Sequence, residues 1–237
     1  MRCAWEKGGA RITLKAMGND KNGAVRAFIF DLDGTLIDSK LDLVNSVNAM
    51  LRETHREEMP METVAAHIGH GAPRLIASVL GPAAPESERE KALSIFLEHY
   101  EKHNLDATRP YPGVVEALAL LHGIPLAVLT NKPTKASLQI LEGLGLAKYF
   151  RSIYGGDSFV KKKPDPSGAQ FILREMGAAR EESAMVGDSD VDVETARNAG
   201  MRAIAVNYGF GQYDRVANPA DHYVDQLMEL IELARNA

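Results

Sequence analysis

Four short segments place acidic, hydroxyl and lysine side chains directly after apolar, β-prone runs. They are Asp31-Leu32-Asp33-Gly34-Thr35, Leu129-Thr130-Asn131, Lys163-Pro164-Asp165-Pro166 and Gly187-Asp188-Ser189-Asp190-Val191-Asp192. Brought to one place, such groups supply what phosphoryl transfer needs: a nucleophile, a proton carrier, anion donors and ligands for a hard cation. Two carboxylates ~4 Å apart repel by roughly 4 kcal/mol at an effective dielectric of 20. Asp31, Asp33, Asp188 and Asp192 gathered together therefore call for a cation. All-oxygen ligands, with no histidine or cysteine cluster among them, favour Mg2+ over zinc. Alternate residues of a strand point to opposite faces, so the chain must leave strand geometry at Asp31 if Asp33 is to serve the same site. Gly34 permits that turn.

Each segment also has a plainer reading. Aspartates cap helices, Thr-Asn closes turns, and lysine runs are mostly solvated. Lys161 and Lys162 are read as solvated, and Lys163, directly before a proline, as functional. Asp192 lies one helical turn beyond Asp188 on the same side, which capping does not explain. Asp190 is read as first-turn charge favoured by the helix dipole.

The elements that must position these groups follow from periodicity. Strands are expected at 25–30, 124–129, 152–154, 183–186, 202–206 and 222–224, with helices at 114–122, 135–144, 167–176, 191–199 and 225–235. Strands alternating with helices imply a doubly wound, Rossmann-like parallel sheet, an α/β fold whose chemistry gathers at the carboxyl ends of the strands. Leu41, Val44, Val47, Met50 and Leu51 fall at helical spacing, as do Ala92, Ile95, Phe96 and Tyr100. Residues 39–109 are thus expected to form an inserted helical cap, with 25–38 plus 110–237 as the catalytic core. The crossings near 38–40 and 108–112 would act as a hinge, with Tyr111 packed there. Met50, Met59 and Met61 are read as packing within the cap.

With 237 residues, 45% hydrophobic and 25% charged, the composition is that of a globular protein. The net charge of −5 argues against nucleic acid or an anionic membrane as partner. The single cysteine, Cys3, excludes an intrachain disulfide and a cysteine-rich zinc site. No stretch approaches the ~20 apolar residues that span a bilayer. Residues 1–24 are expected to be a flexible tail lacking the apolar segment of a secretion signal, with Met17 as an alternative start. A cytoplasmic monomer or homodimer acting on a small molecule is the expectation.

The segment from Asp31 to Ser39 resembles the first signature of the haloacid dehalogenase superfamily, specifically its aspartate-nucleophile phosphatases. The resemblance covers nearly everything after Val25. It implies Asp31 as nucleophile and Asp33 as general acid and base. Thr130, Asn131 and Lys163 are implied to hold phosphate oxygens, and Asp31, the Asp33 backbone carbonyl and Asp188 to ligate Mg2+, with Asp192 orienting that set. Leu129 to Pro133, Ile68-Gly69-His70-Gly71 and Arg109 to Val114 are similar to the phosphoglycolate phosphatases. That subgroup implies 2-phosphoglycolate as substrate, hydrolysed through an aspartyl phosphate. Gly69 and Gly71 allow backbone to approach the ligand, and Arg74 is a candidate partner for a substrate carboxylate; His67 and His70 are weaker candidates. Pyrophosphatases, sugar-phosphate phosphatases and β-phosphoglucomutases share the pattern. The residues after Asp38 lack the histidine-bearing pattern of the mutases, and intact aspartates argue against a non-catalytic regulatory module.

Overall fold

The computed structural model describes residues 23–211 and 213–235; the expectations for residues 1–22, including the alternative start, lie outside them. Ala24 is already buried, so packed chain begins before residue 25. The elements run β1 (Ala27–Phe30), β2 (Ile37–Asp38), α1 (Lys40–Glu53), α2 (Met61–Ala65), α3 (Ala72–Leu80), α4 (Glu86–His103), β3 (Arg109–Pro110) and α5 (Val114–Leu120). Strand and helix then alternate: β4 (Leu126–Leu129), α6 (Thr134–Gly143), β5 (Ser152–Tyr154), α7 (Ser167–Met176), β6 (Ser183–Gly187), α8 (Asp190–Ala199), β7 (Arg202–Val206), β8 (His222–Val224) and α9 (Leu230–Arg235).

Six strands form one parallel sheet in the order β5-β4-β1-β6-β7-β8. β1, β4, β6 and β7 are buried along their whole length, because helices cover both faces; continuous apolar runs are what such strands require. The chain leaves β1 for β4 and β5 on one side and returns to β6 and β7 on the other. The order therefore reverses at β1, and the carboxyl ends of β1, β4 and β6 flank the crevice that a doubly wound sheet opens at its switch point.

Helices α1–α4 occupy the insertion after β2. One hydrophobic cluster runs from Phe28 and Phe30 of β1 through Leu43 and Val47 of α1 to Phe96 and Tyr100 of α4. A second, on the other face of the sheet, joins Ile29 and Met185 to Ile172 and Val193. Met50 is fully buried in the first cluster, but Met61 is exposed and does not pack there. Among the described residues no helix is long and apolar enough to cross a membrane.

The hinge differs from expectation in having a strand ribbon. β2 and β3 pair antiparallel, Ile37 opposite Pro110 and Asp38 opposite Arg109, so the outgoing and returning chains are tied side by side. Two-residue strands carry no readable periodicity, and Pro110 lacks a ladder donor. The last helix also begins later than expected. Glu229 Oε1 accepts the backbone N–H groups of Asp225 and Gln226, each at 2.9 Å, so those residues cap the turn instead of joining it.

Asp42 fixes the return path. It is 1% exposed, and its carboxylate accepts the Ala107 and Thr108 backbone N–H groups and the Thr108 hydroxyl at 2.7–3.0 Å. Removing it strands two buried Thr108 donors and the partly buried Ala107 N–H. Asp42→Ala is expected to lower unfolding free energy by about 3 kcal/mol, with Asp42→Asn losing less, as read by urea titration. A loss below about 1 kcal/mol would show that the linker is held by its apolar neighbours.

Candidate active site

β1 hands the chain to a tight turn in which the Leu32 carbonyl accepts the N–H groups of Thr35, Leu36 and Ile37 at 3.0–3.3 Å. Gly34, at φ +83°, sits so close to Asp188 that a Cβ there would lie 1.9 Å from its Oδ2. Only glycine allows that approach. The turn sends the Asp31 and Asp33 carboxylates in different directions.

Asp31 points into a buried acidic cluster. One oxygen each from Asp31, Asp188 and Asp192 lies within 4.8 Å of the others. Lys163 Nζ enters between two of them, 2.8 Å from Asp31 Oδ1 and 2.7 Å from Asp192 Oδ1. Asp188 Oδ2 accepts the Phe210 and Gly211 N–H groups at 3.1 and 2.7 Å. Burial pushes the Asp31 carboxyl from 3.8 up to about 6, opposed chiefly by the Lys163 charge. Burial, then Asp192 and Asp31, hold the Asp188 carboxyl well above its ordinary value. Three buried carboxylates against one ammonium leave an excess of negative charge, and all their donors are hard oxygens. That arrangement fits a divalent cation.

Asp192 has a second duty that the sequence reading set aside. Its Oδ2 accepts the Ser189 N–H and hydroxyl at 3.2 and 2.8 Å, so it closes the capping box of α8 while bonding Lys163. Asp190 does more than charge the first turn of α8: its carboxylate accepts the Asp214 N–H and the Asn218 side-chain amide.

Asp33 faces the other way. Its carboxylate accepts Lys132 Nζ at 2.8 and 2.9 Å and the Ser39 hydroxyl. Lys132 is almost wholly buried and also donates to the Tyr100 hydroxyl of α4 at 2.6 Å. From sequence, Lys132 enters only as part of the Leu129–Pro133 resemblance and Tyr100 only as a position on a helical stripe, neither with a role at the site. A lysine among ordinary turn residues and a tyrosine on a helical stripe carry no signal until the fold joins them. Gly209 and Gly211 were missed too; a Cβ on either would fall within 3 Å of Asp188.

A cavity of about 210 Å³ opens between the insert and the strand ends. Asp31, Asp33, Thr130 and Lys132 line its core side, and Gly69, Gly71, Leu75, Phe96 and Tyr100 its insert side. The Thr130 hydroxyl accepts the Lys132 N–H at 3.3 Å, which leaves its proton to donate. Asn131 departs from expectation. Its amide donates to the Gly69 and Lys163 carbonyls at 3.1 and 3.2 Å and its oxygen accepts the Lys163 N–H at 3.0 Å. The side chain ties the insert to the Lys163 loop instead of presenting a free donor to phosphate.

Arg74 is exposed and does not line the cavity, so it is not placed to receive a substrate carboxylate. His70 is exposed and His67 half-buried, and neither lines it. Lys161 is solvated and pairs with Asp165 at 3.5 Å, as expected for a surface loop. Tyr111 packs on Tyr208 with ring centroids 4.7 Å apart.

Comparison with known proteins gives one family. The profile described as Haloacid dehalogenase-like hydrolase matches residues 28–206. A phosphoglycolate phosphatase of Pseudomonas syringae pv. tomato is 39% identical over 216 residues, covering 87% of this chain and 78% of that protein. One from Chromobacterium violaceum is 36% identical over 222 residues, covering 90% and 97%. The crystal structure of a predicted phosphoglycolate phosphatase from Haemophilus somnus superposes with a TM-score of 0.83 at 28% identity, covering 89% of this chain and 98% of that one.

Raised carboxyl pKa values mean that the folded protein binds protons more tightly than the unfolded chain. The metal-free fold therefore gains stability from Asp31 as pH falls from about 6 towards 3.8, and protons compete with any cation for the cluster. The rise in Tm produced by a divalent cation is expected to be largest above about pH 7 and to shrink by about pH 5. Thermal melts with chelator and with metal at both pH values check this. An equal rise at both would place the cation outside the carboxylates.

Proposed function

This chain belongs to the haloacid dehalogenase-like hydrolase family, and from that premise we propose that it is a Mg2+-dependent phosphatase hydrolysing 2-phosphoglycolate to glycolate and phosphate. The observation that carries the proposal is the Asp31–Lys163–Asp192 chain beside Asp188, because it sets a desolvated carboxylate next to a fixed ammonium at the switch point. The substrate assignment rests on the similarity to the named relatives and on a cavity sized for a small ester.

Asp31 attacks phosphorus, and the bond from phosphorus to the leaving oxygen breaks as the aspartyl phosphate forms. Asp33 gives its proton to the departing alkoxide, then takes one from the water that hydrolyses the acyl phosphate. Lys163 and the Thr130 hydroxyl bind phosphate oxygens. Mg2+, held by Asp31, Asp188 and the Asp33 backbone carbonyl, would supply charge neutralisation for the carboxylates and phosphate. Asp192 keeps Lys163 in place, and Asn131 keeps the Lys163 backbone and the Gly69 loop together. Helices α1–α4 act as a cap that excludes water from the cavity, with the β2–β3 ribbon as its hinge.

Asp31→Asn is expected to lower kcat by roughly 10⁴-fold or more while leaving Tm equal or higher, because it removes the nucleophile and one of three crowded negative charges. Turnover near wild type would remove Asp31 from the nucleophile's role. Among phosphoglycolate, pyrophosphate, glucose 1-phosphate and an aryl phosphate, kcat/KM is expected to favour phosphoglycolate; activity favouring another ester would keep the chemistry and discard the substrate.

Gly71, at φ +86° with the Asn131 carbonyl 2.9 Å from where its Cβ would stand, offers a separate test. Gly71→Val should push the insert loop off the core and cost phosphoglycolate turnover more than aryl phosphate turnover. Equal losses would show that this loop does not select the substrate.

A further inference from the structure

We propose that Lys132, supported by Tyr100, is the receptor for an acidic group on the leaving alcohol, and so selects phosphorylated hydroxy acids over neutral phosphate esters. The inference rests on the phosphatase reading above and adds to it the residues that read the non-phosphate end of the substrate.

The two buried lysines of the site stand in different positions, and of these Lys132 lines the cavity. Lys163 stands against Asp31, where phosphorus is attacked. Lys132 stands 2.8 Å from Asp33, where the leaving oxygen receives its proton. Lys135, the other lysine lining the cavity, is largely exposed and paired with Glu101, so Lys132 is the buried cation on that side.

Short reach follows from that spacing. An ester whose leaving oxygen is one carbon from a carboxylate presents both to groups less than 3 Å apart, one delivering the proton and the other taking the charge. A neutral alcohol of the same size meets the same ammonium without an anion to offer it.

The surroundings are built for such a contact. Lys132 Nζ has three N–H donors facing the two oxygens of one carboxylate and the Tyr100 hydroxyl. Tyr100 accepts from Lys132, and among the described residues its own proton goes to no protein acceptor. Tyr100 lines the cavity, and its O–H can donate to the second oxygen of a bound carboxylate. Leu43, Leu75 and Phe96 add apolar wall, which strengthens a charged contact by excluding water, while Glu101, also on the wall, is paired with Lys135. Tyr100 belongs to the insert and Lys132 to the core, so an acid bound between them is read by both parts of the chain.

The test compares 2-phosphoglycolate with 2-hydroxyethyl phosphate, which differ only in carboxylate against hydroxymethyl. Wild type should prefer the acid. Lys132→Met should lower kcat/KM for phosphoglycolate roughly 10- to 100-fold more than for hydroxyethyl phosphate, and Lys132→Arg should restore part of the difference. Tyr100→Phe, which keeps the Lys132–Asp33 pair and guards against misfolding of the first variant, should show a smaller loss in the same sense. Binding of glycolate, measured by calorimetry without turnover, should weaken in Lys132→Met.

Equal losses on both esters, with glycolate binding unchanged, would make Lys132 a support for Asp33 alone and overturn the proposal. So would a wild-type enzyme that prefers neutral esters. Failure of the substrate reading looks different: wild type would favour another phosphorylated hydroxy acid, such as 3-phosphoglycerate, and the Lys132 effect would then be scored on that acid against its own neutral alcohol analogue.

Discussion

Charge compensation in a dry place is the constraint around which this molecule is arranged. Asp31, Asp188 and Asp192 are each nearly inaccessible, and their oxygens lie within 4.8 Å of one another. At that separation each pair costs about 3–4 kcal/mol at an effective dielectric of 20, and Lys163 offsets only part of it. The protein meets the remainder with backbone. Gly34, Gly209 and Gly211 press against Asp188, and two N–H groups of the 210–211 segment reach its Oδ2. A side chain at any of those glycines would fill the space in which the carboxylate and its cation must sit. The switch point of the sheet supplies the geometry, because three parallel strands end there, with the 209–211 segment and the insert standing over them.

The insert is joined to the core in two ways that differ in kind. Where the chain crosses between them, the link is the β2–β3 ribbon and the Asp42 carboxylate that gathers residues 107 and 108. Over the site the links are dispersed polar contacts: the Asn131 amide on Gly69, Lys132 on Tyr100, Lys135 and Gln139 on Glu101, and Asn104 on Gln139.

The gathering of Asp31, Asp188 and Asp192 was legible in the sequence because such residues are costly to bury without purpose and because each motif followed a strand-like run. The strands themselves were legible for the same reason, being continuous apolar runs of a sheet covered on both faces. What escaped were features that exist only after folding. Lys132 reads as a turn lysine until α4 brings Tyr100 over it. Asn131 reads as a phosphate donor until the Lys163 backbone and Gly69 take up its amide. Arg74 reads as a carboxylate partner until α3 turns it to solvent. The capping role of Asp192 was set aside in favour of the site, although one carboxylate with two oxygens serves both.

Two buried lysines, one facing Asp31 and one facing Asp33, give the site a polarity that a single phosphate pocket would lack. Lys163 lies between two carboxylates, so its charge is largely spent on holding the acidic cluster together. Lys132 is paired with one carboxylate only and shares its remaining hydrogen-bonding capacity with a neutral hydroxyl. An anion arriving on the Asp33 side therefore meets a cation less fully compensated than the one on the Asp31 side. On the proposed reading, a substrate with charge at both ends aligns along that axis, phosphate towards Lys163 and acid towards Lys132, with its leaving oxygen beside Asp33. Orientation is then set by where the two ammonium groups stand, before any bond to phosphorus changes.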